Sequence, residues 1–153
     1  MDVKCINPFL DAVKSVLEQL GITDIKMSGL SKKEKMFVNL EITSMIGIVG
    51  DIRGNIAYSM SEESAKKIIS TMMMGMNVEN IDEIGRSAIG ELTNMITGNA
   101  ATMLSDNGYL TDITPPSTVF GKDMYFIIST VETIAIEIDS SIGRIEVNIG
   151  LEV

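Results

Sequence analysis

The chain has 153 residues, of which 45% are hydrophobic, and its 21 acidic and 12 basic side chains give a net charge of −9. This length predicts one domain over residues 1–153 with a buried core, and the absence of a run of about 18 apolar residues predicts no membrane insertion. The acidic balance argues against nucleic-acid binding, and the lack of histidine excludes Ser-His and Cys-His dyads, a histidine base and an imidazole-ligated metal.

The first predicted element is an amphipathic helix at Asn7–Leu20, ended by Gly21. Charged residues interrupt the apolar ones throughout this N-terminal segment, so no signal peptide is expected. Cys5 is the single cysteine, which excludes an internal disulfide and indicates a reducing compartment, with the cytoplasm as the default. The apolar side of the helix consists of Phe9, Val13, Val16, Leu17 and Leu20.

Three runs containing Val and Ile predict strands at Phe37–Ile42, Ile46–Ile52 and Asn55–Met60. Gly50 and Gly54 mark turns or bulges among them. A basic cluster precedes these strands, and the acidic residue within it indicates a solvated loop. The cluster consists of Lys32, Lys33 and Lys35 around Glu34.

A second helix is predicted to begin after Ser61, a favourable N-cap, and to end near Gly75. Its end carries the densest group of the chain's 12 methionines, in the segment Met72–Met76. Core filling is the favoured interpretation of this group. The alternatives are an adaptable binding surface, an interface edge and a thioether copper site.

A long third helix is predicted at Ile81–Asp106, with Asp82 as its cap. Its apolar residues recur at helical spacing and predict the buried side. Asn99 also falls on this apolar sector, where no structural reason for a polar residue is evident. The predicted buried residues are Ala88, Ile89, Leu92, Ile96 and Met103.

The opposite edge of this helix has an unusual composition. Ser87, Glu91, Asn94 and Gly98 follow the i, i+4, i+7, i+11 spacing of one stripe, and small residues surround the carboxylate and the carboxamide. A glycine inside a helix costs about 1 kcal/mol relative to alanine, so helix formation does not explain it. Two interpretations have equal weight: close approach of another molecule, or packing on a neighbouring helix. The small neighbours are Gly90, Thr97, Gly98 and Ala101.

The C-terminal third predicts strands joined by short turns, which favours antiparallel pairing and an α+β fold of long helices packed with an antiparallel β-sheet. A Pro115-Pro116 break separates the first strand from the rest, and Ser140, Ser141 and Gly143 form a hairpin turn. The strand-like runs are Tyr109–Ile113, Thr118–Phe120, Tyr125–Ala135 continuing as Ile136–Ile138, and Ile145–Leu151.

A short internal similarity suggests that a unit of one helix and several strands is duplicated. The segment Gly21–Ile25 after the first helix resembles Tyr109–Ile113 after the long one. Because the match spans only a few residues, chance similarity is the alternative.

The long helix carries a recognisable motif. Ser87-x-x-x-Glu91-x-x-Asn94 matches the signature (D/S)-x-x-x-E-x-x-N, and Pro115 or Pro116 supplies a downstream proline. On these residues the chain resembles, over nearly its whole length, the CheX proteins of the CheC, CheX and FliY family of CheY-phosphate phosphatases. CheC-type relatives carry two E-x-x-N helices, and the one visible here fits the CheX type. Supporting segments are Gly47–Gly50 with Gly54, the helix Glu63–Met74, and Asp112–Pro116.

The resemblance implies a CheC-like fold and hydrolysis of the aspartyl phosphate of a CheY-like response regulator. Asn94 would position the attacking water, and Glu91 would pair with the regulator's active-site lysine. The protein would need no cofactor of its own, because Mg²⁺ is expected on the regulator, and it would form a homodimer by pairing sheet edges. The partner-binding residues would be Ser87, Gly90, Gly98 and Ala101.

Two other classes of function share the same helix face. A non-catalytic adaptor would bind a response regulator or a motor or receptor component without hydrolysis. A structural subunit would use the glycine-lined helix to pack on its dimer mate.

Overall fold

The computed structural model describes residues 3–122 and 125–153. In this part of the chain, three helices and the larger of two antiparallel sheets enclose the main core, as the predicted α+β class requires. No described helix is both long enough and apolar enough to cross a membrane. The elements are α1 (Val3–Gln19), β1 (Lys26–Lys33), β2 (Met36–Val38), β3 (Ile42–Gly50), β4 (Arg53–Met60), α2 (Glu62–Met72), α3 (Glu83–Asp106), β5 (Thr111–Ile113), β6 (Ser117–Phe120), β7 (Phe126–Ser129), β8 (Thr133–Ser140) and β9 (Gly143–Glu152).

The larger sheet has the order β1-β8-β9-β4-β3-β5 among the described residues, and β6 also pairs with β3. Alternation along the strands separates its two faces. Ile56 and Tyr58 of β4 belong to the core shared with the helices, whereas Ala57 between them belongs to a second cluster. That second cluster contains Met36 and Val38 of β2, so the small β2-β7 sheet covers the face away from the helices.

The strand order supports the predicted duplication. If β1 is exchanged with β5, β3 with β8 and β4 with β9, the strand order becomes β5-β3-β4-β9-β8-β1. This is the original order read from the opposite edge of the sheet. The first strand after α1 and the first strand after α3 therefore occupy the two ends of the strand order, and each lies beside strands of the other half.

The helix α1 begins at Val3, four residues before the predicted start at Asn7. Pro8 lies inside it and cannot donate the backbone hydrogen bond that would reach the Lys4 carbonyl. That carbonyl accepts a hydrogen bond from Asn107 Nδ2, 3.5 Å away, just after α3. The predicted apolar side is confirmed, because Phe9, Val13, Val16 and Leu17 are fully buried and Leu20 packs against the core.

The interpretation of the lysine cluster as a solvated loop is wrong in part, because Lys32 and Lys33 end the unpredicted strand β1. Lys33 is largely buried. Its Nζ donates hydrogen bonds to Glu146 Oε1 at 2.9 Å, Asn148 Oδ1 at 2.8 Å and the Phe37 carbonyl at 2.9 Å. The strand escaped prediction because most of its residues are exposed, so it lacks the alternation that identifies a half-buried strand.

Other predicted strand boundaries are also wrong, and the run Ile46–Ile52 corresponds to β3, which extends from Ile42 to Gly50. The run Phe37–Ile42 ends early as β2 at Val38, and Ile42 starts β3. The run Tyr125–Ala135 is divided into β7 and β8, which belong to different sheets. The break lies where the Ser129 Oγ accepts a hydrogen bond from the Val131 amide at 3.1 Å. The strands Asn55–Met60 and Ile145–Leu151 are confirmed with small extensions.

The second helix has the predicted N-cap, since Ser61 Oγ accepts a hydrogen bond from the Ser64 amide at 3.1 Å. It ends at Met72, three residues before Gly75. The methionine group that follows is divided. Met72 and Met73 pack against the core, whereas Met74 is 97% exposed and Met76 is 59% exposed, so core filling explains only part of the group.

Candidate functional site

The helix α3 starts two residues after the predicted position, and the predicted cap is confirmed. Asp82 Oδ1 accepts a hydrogen bond from the Gly85 amide at 2.9 Å. The helix packs against α1 and α2 and also against β3, β5 and β6. Ile89, Leu92 and Ile96 are buried as predicted, whereas Ala88 and Met103 are half-buried.

Buried hydroxyl groups fix the rotation of α3 over the sheet. Thr93 Oγ1 donates to the Gly90 carbonyl at 3.0 Å and lies 2.7 Å from Ser44 Oγ, so Ser44 is the donor between the two hydroxyls. In the same way Thr97 Oγ1 donates to the Thr93 carbonyl at 2.7 Å and accepts from the Tyr58 hydroxyl at 2.8 Å. Burial raises the pKa of Tyr58, which keeps this hydroxyl protonated as a donor.

These contacts correct the prediction for the outer edge of α3. Thr97 and Gly90 were expected among the exposed small residues, and both are buried. A Cβ added to Gly90 would lie 3.4 Å from Pro116 Cγ, so this glycine supports contact between α3 and the segment after β5. The buried sector is wider than the apolar pattern predicts because strands flank the helix as well as underlie it.

The remaining exposed edge of α3 forms one wall of an open groove of about 670 Å³, here called the α3 groove. Ser87 and Glu91 are exposed and Asn94 is half-buried, so the predicted stripe does place these three side chains together. The lining residues are Arg86, Ser87, Gly90, Glu91 and Asn94 from α3, and Ile113, Thr114, Pro115, Pro116 and Thr118 from the facing segment.

The facing wall is held by β3. The Thr114 amide donates to the Gly47 carbonyl at 2.9 Å, and the Gly47 amide donates to Thr114 Oγ1 at 2.8 Å. Pro115 and Pro116 follow β5 and precede β6, the two short strands that each pair with β3, and both prolines line the groove. Both candidates for the predicted downstream proline therefore reach the same site as Glu91 and Asn94.

The two polar side chains of the motif remain available for an external ligand. Within the described part of the chain, the Glu91 carboxylate forms no ion pair, and the Asn94 carboxamide forms no hydrogen bond to another side chain. A carboxylate and a carboxamide one turn apart on the groove side of α3 can bind a cation and orient a small polar molecule.

Two predicted partner-binding residues, Gly98 and Ala101, are half-buried and lie beyond the groove along α3. A Cβ added at Gly98 would meet no atom within 4 Å, so packing inside this chain does not require this glycine. Asn99, unexplained in the sequence, is half-buried on the same part of the helix.

The sequence interpretation missed Arg86, which lines the groove, and Phe120, which lies under the Arg86 guanidinium. Arg86 directly precedes the motif in the sequence. Its position in the groove depends on Phe120 of β6, 34 residues away, so no local sequence pattern indicates it. The described residues include no group of three or more His, Cys, Asp or Glu side chains placed to hold a metal ion.

Comparisons with known proteins agree with this architecture. Residues 42–139 match the family model "Chemotaxis phosphatase CheX". The CheY-P phosphatase CheX of Thermotoga maritima is 38% identical over 125 residues, which cover 81% of this chain and 80% of that protein.

Solved structures of CheX and CheC-like proteins are also similar to this chain. A CheC-like superfamily protein from Shewanella sp. PV-4 has a TM-score of 0.89 at 32% identity, with all of both chains covered. A chain of the CheX-CheY-BeF3-Mg²⁺ complex from Borrelia burgdorferi has a TM-score of 0.79 at 28% identity, with 97% of each of the two compared chains covered.

Proposed function

This chain belongs to the CheX family of chemotaxis phosphatases, and we propose that it hydrolyses the aspartyl phosphate of a CheY-like response regulator in the α3 groove. Asn94 positions the attacking water, and Glu91 pairs with the active-site lysine of the regulator. The observation that carries the proposal is that the exposed Glu91 and the half-buried Asn94 both line one groove, and that neither side chain has a partner in the described chain.

The reaction requires little covalent chemistry from this protein. The water oxygen attacks phosphorus in line, the bond from phosphorus to the acyl oxygen breaks, and the products are inorganic phosphate and the free aspartate carboxylate. The regulator carries the Mg²⁺ that stabilises the phosphoryl oxygens. What remains to be supplied is the placement of the water, and orientation of reactants contributes several kcal/mol to such reactions.

A carboxamide suits that role better than a charged group. Asn94 can accept one hydrogen bond from the water and donate another without adding negative charge beside the phosphoryl group. Its half-buried position in α3 restricts the orientations of the side chain, which lowers the entropic cost of holding the water.

Glu91 is suited to docking more than to proton abstraction. An exposed carboxylate on the groove can form a charge-assisted hydrogen bond with a lysine, which fixes the relative position of the two proteins. As a general base it would have to approach a phosphoryl group of the same sign of charge, and the acyl phosphate already has a good leaving group.

The test is to mix the purified protein with a phosphorylated CheY-like regulator from the same organism and to follow phosphate release. Acceleration above the regulator's own hydrolysis rate is expected. Binding without acceleration would contradict the phosphatase and support the non-catalytic adaptor. No binding to any regulator would support a structural subunit that packs through this helix face.

Replacing Gly98 with alanine should raise stability and weaken docking. The methyl group meets no atom of this chain, so the helix should gain about 1 kcal/mol, or a rise of about 2–4 °C in Tm. If the regulator approaches this backbone, the methyl should weaken binding by ~1 kcal/mol, about fivefold. Circular dichroism and a binding titration measure the two effects.

Ser105 is exposed two turns further along α3 and gives the matched control, since Ser105→Ala should not change binding. A higher Tm for Gly98→Ala with unchanged affinity would show that docking does not extend past the α3 groove.

We also propose the homodimer, but the structure changes which strands would form its interface. The Val- and Ile-rich strands that were expected to need covering lie inside the sheet, and of the two strands at the ends of the strand order we assign the contact to β1. Its Met27 and Leu30 are 57% and 60% exposed, and an edge strand with exposed apolar side chains favours pairing with a second copy.

Light scattering should give twice the 16.6 kDa mass of one chain. Leu30→Lys in β1 should shift the mass toward one chain, with Leu110→Lys, at another exposed leucine, as the control. A wild-type protein that stays at the mass of one chain over the micromolar range would contradict the homodimer.

A further inference from the structure

A cationic side chain stands at one end of the α3 groove without an ionic partner in the described chain. Arg86 is exposed on α3, and its Cζ lies 4.3 Å from the centroid of the Phe120 ring. It lines the α3 groove on one side and, on the other, an adjacent pocket of about 320 Å³. Arg86 therefore separates two openings on the same surface.

The carboxylates of the adjacent pocket are already engaged. Glu62 lies 3.5 Å from Lys66 Nζ and 3.8 Å from Lys122 Nζ. Glu41 Oε1 accepts a hydrogen bond from the Glu62 amide at 3.3 Å. Neither carboxylate forms an ion pair with Arg86 in the described chain, although Glu41, Glu62 and Arg86 all line that pocket.

Contact with the aromatic ring orients the guanidinium without neutralising it. An arginine on a ring face keeps the N–H donors at its edge free for a planar acceptor such as a carboxylate. The side chain also loses less conformational entropy when it binds, because Phe120 already restricts it. In a chain of net charge −9, this arrangement presents one ordered positive group in the groove that Glu91 also lines.

Distance decides what Arg86 can reach. Asn94 lies eight residues further along α3, which is about 12 Å along the helix axis. Side chains of a helix lean toward its N-terminus at both positions, so this lean does not shorten the separation between Arg86 and Asn94. A guanidinium on Phe120 is consequently too far from the water position to contact the phosphoryl group, and it faces the partner's surface outside the reacting atoms.

We propose that Arg86, held by Phe120, is a specificity-determining residue that binds a carboxylate on the rim of the regulator's phosphorylated site. This inference rests on the proposed function. Arg86 and Glu91 then present opposite charges to the partner at separate positions, so an acidic group and a lysine on the regulator must both match.

The test compares Arg86→Glu with Arg53→Glu, which makes the same change of charge at an exposed arginine outside the groove. The probe is a CheY-like regulator loaded with beryllofluoride and Mg²⁺, so binding is measured without turnover. Arg86→Glu should raise Kd on the order of tenfold, and Arg53→Glu should leave Kd unchanged. With the phosphorylated regulator, KM should rise while kcat stays the same.

Two further variants test the role of the ring. Phe120→Leu keeps an apolar side chain but removes the ring face, and it should raise Kd less than Arg86→Ala does. In the double variant, Phe120→Leu should raise Kd little beyond the value for Arg86→Ala alone, because the two residues act as one unit. Equal Tm values would show that the fold is retained.

An unchanged Kd for Arg86→Glu would overturn the inference, as would a fall in kcat at constant KM, which would place Arg86 at the phosphoryl group. These results are distinct from failure of the proposed function. If wild type binds the loaded regulator but does not accelerate hydrolysis, the phosphatase proposal fails and the Kd comparison still decides the role of Arg86.

Discussion

Asn94→Ala should lower the stimulated rate of phosphate release by about 10²–10³-fold, the loss seen when one catalytic hydrogen-bonding group is removed. The carboxamide makes no hydrogen bond to another side chain of the described chain, so its loss should leave the fold intact. The measurement is phosphate release from a phosphorylated CheY-like regulator, with Kd for the beryllofluoride-loaded regulator measured alongside. The rate should fall while Kd changes little.

Asn99 provides the matched control for this variant. It is also a half-buried asparagine of α3, but it does not line the groove. Asn99→Ala should keep most of the activity. Full activity of Asn94→Ala would remove the water-positioning role, and equal losses in the two variants would attribute the effect to the helix rather than to Asn94.

Glu91→Ala should weaken docking by ~2–5 kcal/mol, a loss of thirtyfold or more in kcat/KM, because the regulator's lysine would lose its partner inside the interface. Glu91→Lys should be more severe, since two positive charges would then face each other. Titration with the beryllofluoride-loaded regulator should show the loss as a higher Kd. Tm should not change, because Glu91 forms no ion pair in the described chain.

Glu83 is an exposed glutamate in the first turn of α3 and lies outside the groove, so Glu83→Ala is the control for the change in charge. Whether the loss of activity appears in Kd or in kcat identifies the role of Glu91. A fall in kcat with unchanged Kd would make Glu91 a general base instead of a docking residue. Equal behaviour of the Glu91 and Glu83 variants would indicate only a general effect of charge.

Helices and their faces were predicted best. The cap at Ser61, the cap at Asp82 and the apolar side of α1 were all confirmed. Each depends on residues within a few positions of one another, where helical periodicity and capping chemistry act directly. The α+β class followed from the same patterns, since strands joined by short turns pair antiparallel.

Strands were predicted less well because their identity depends on distant neighbours. The edge strand β1 is mostly exposed and pairs only with β8 of the larger sheet among the described residues, so its sequence has no apolar alternation. The run Tyr125–Ala135 looked continuous, yet its two parts belong to different sheets. No pattern within the run itself specifies which partner strand each part meets.

The sequence by itself determined that Ser87, Glu91 and Asn94 share one edge of a helix, because 3.6 residues per turn is a local property of the backbone. Only the tertiary structure decided which edge stays open. The buried hydroxyls of Thr93 and Thr97 turn α3 on the sheet, the segment after β5 closes over Gly90, and β6 brings a ring under Arg86. These contacts join residues far apart in the chain, and their geometry is set by packing of the whole core rather than by any local pattern.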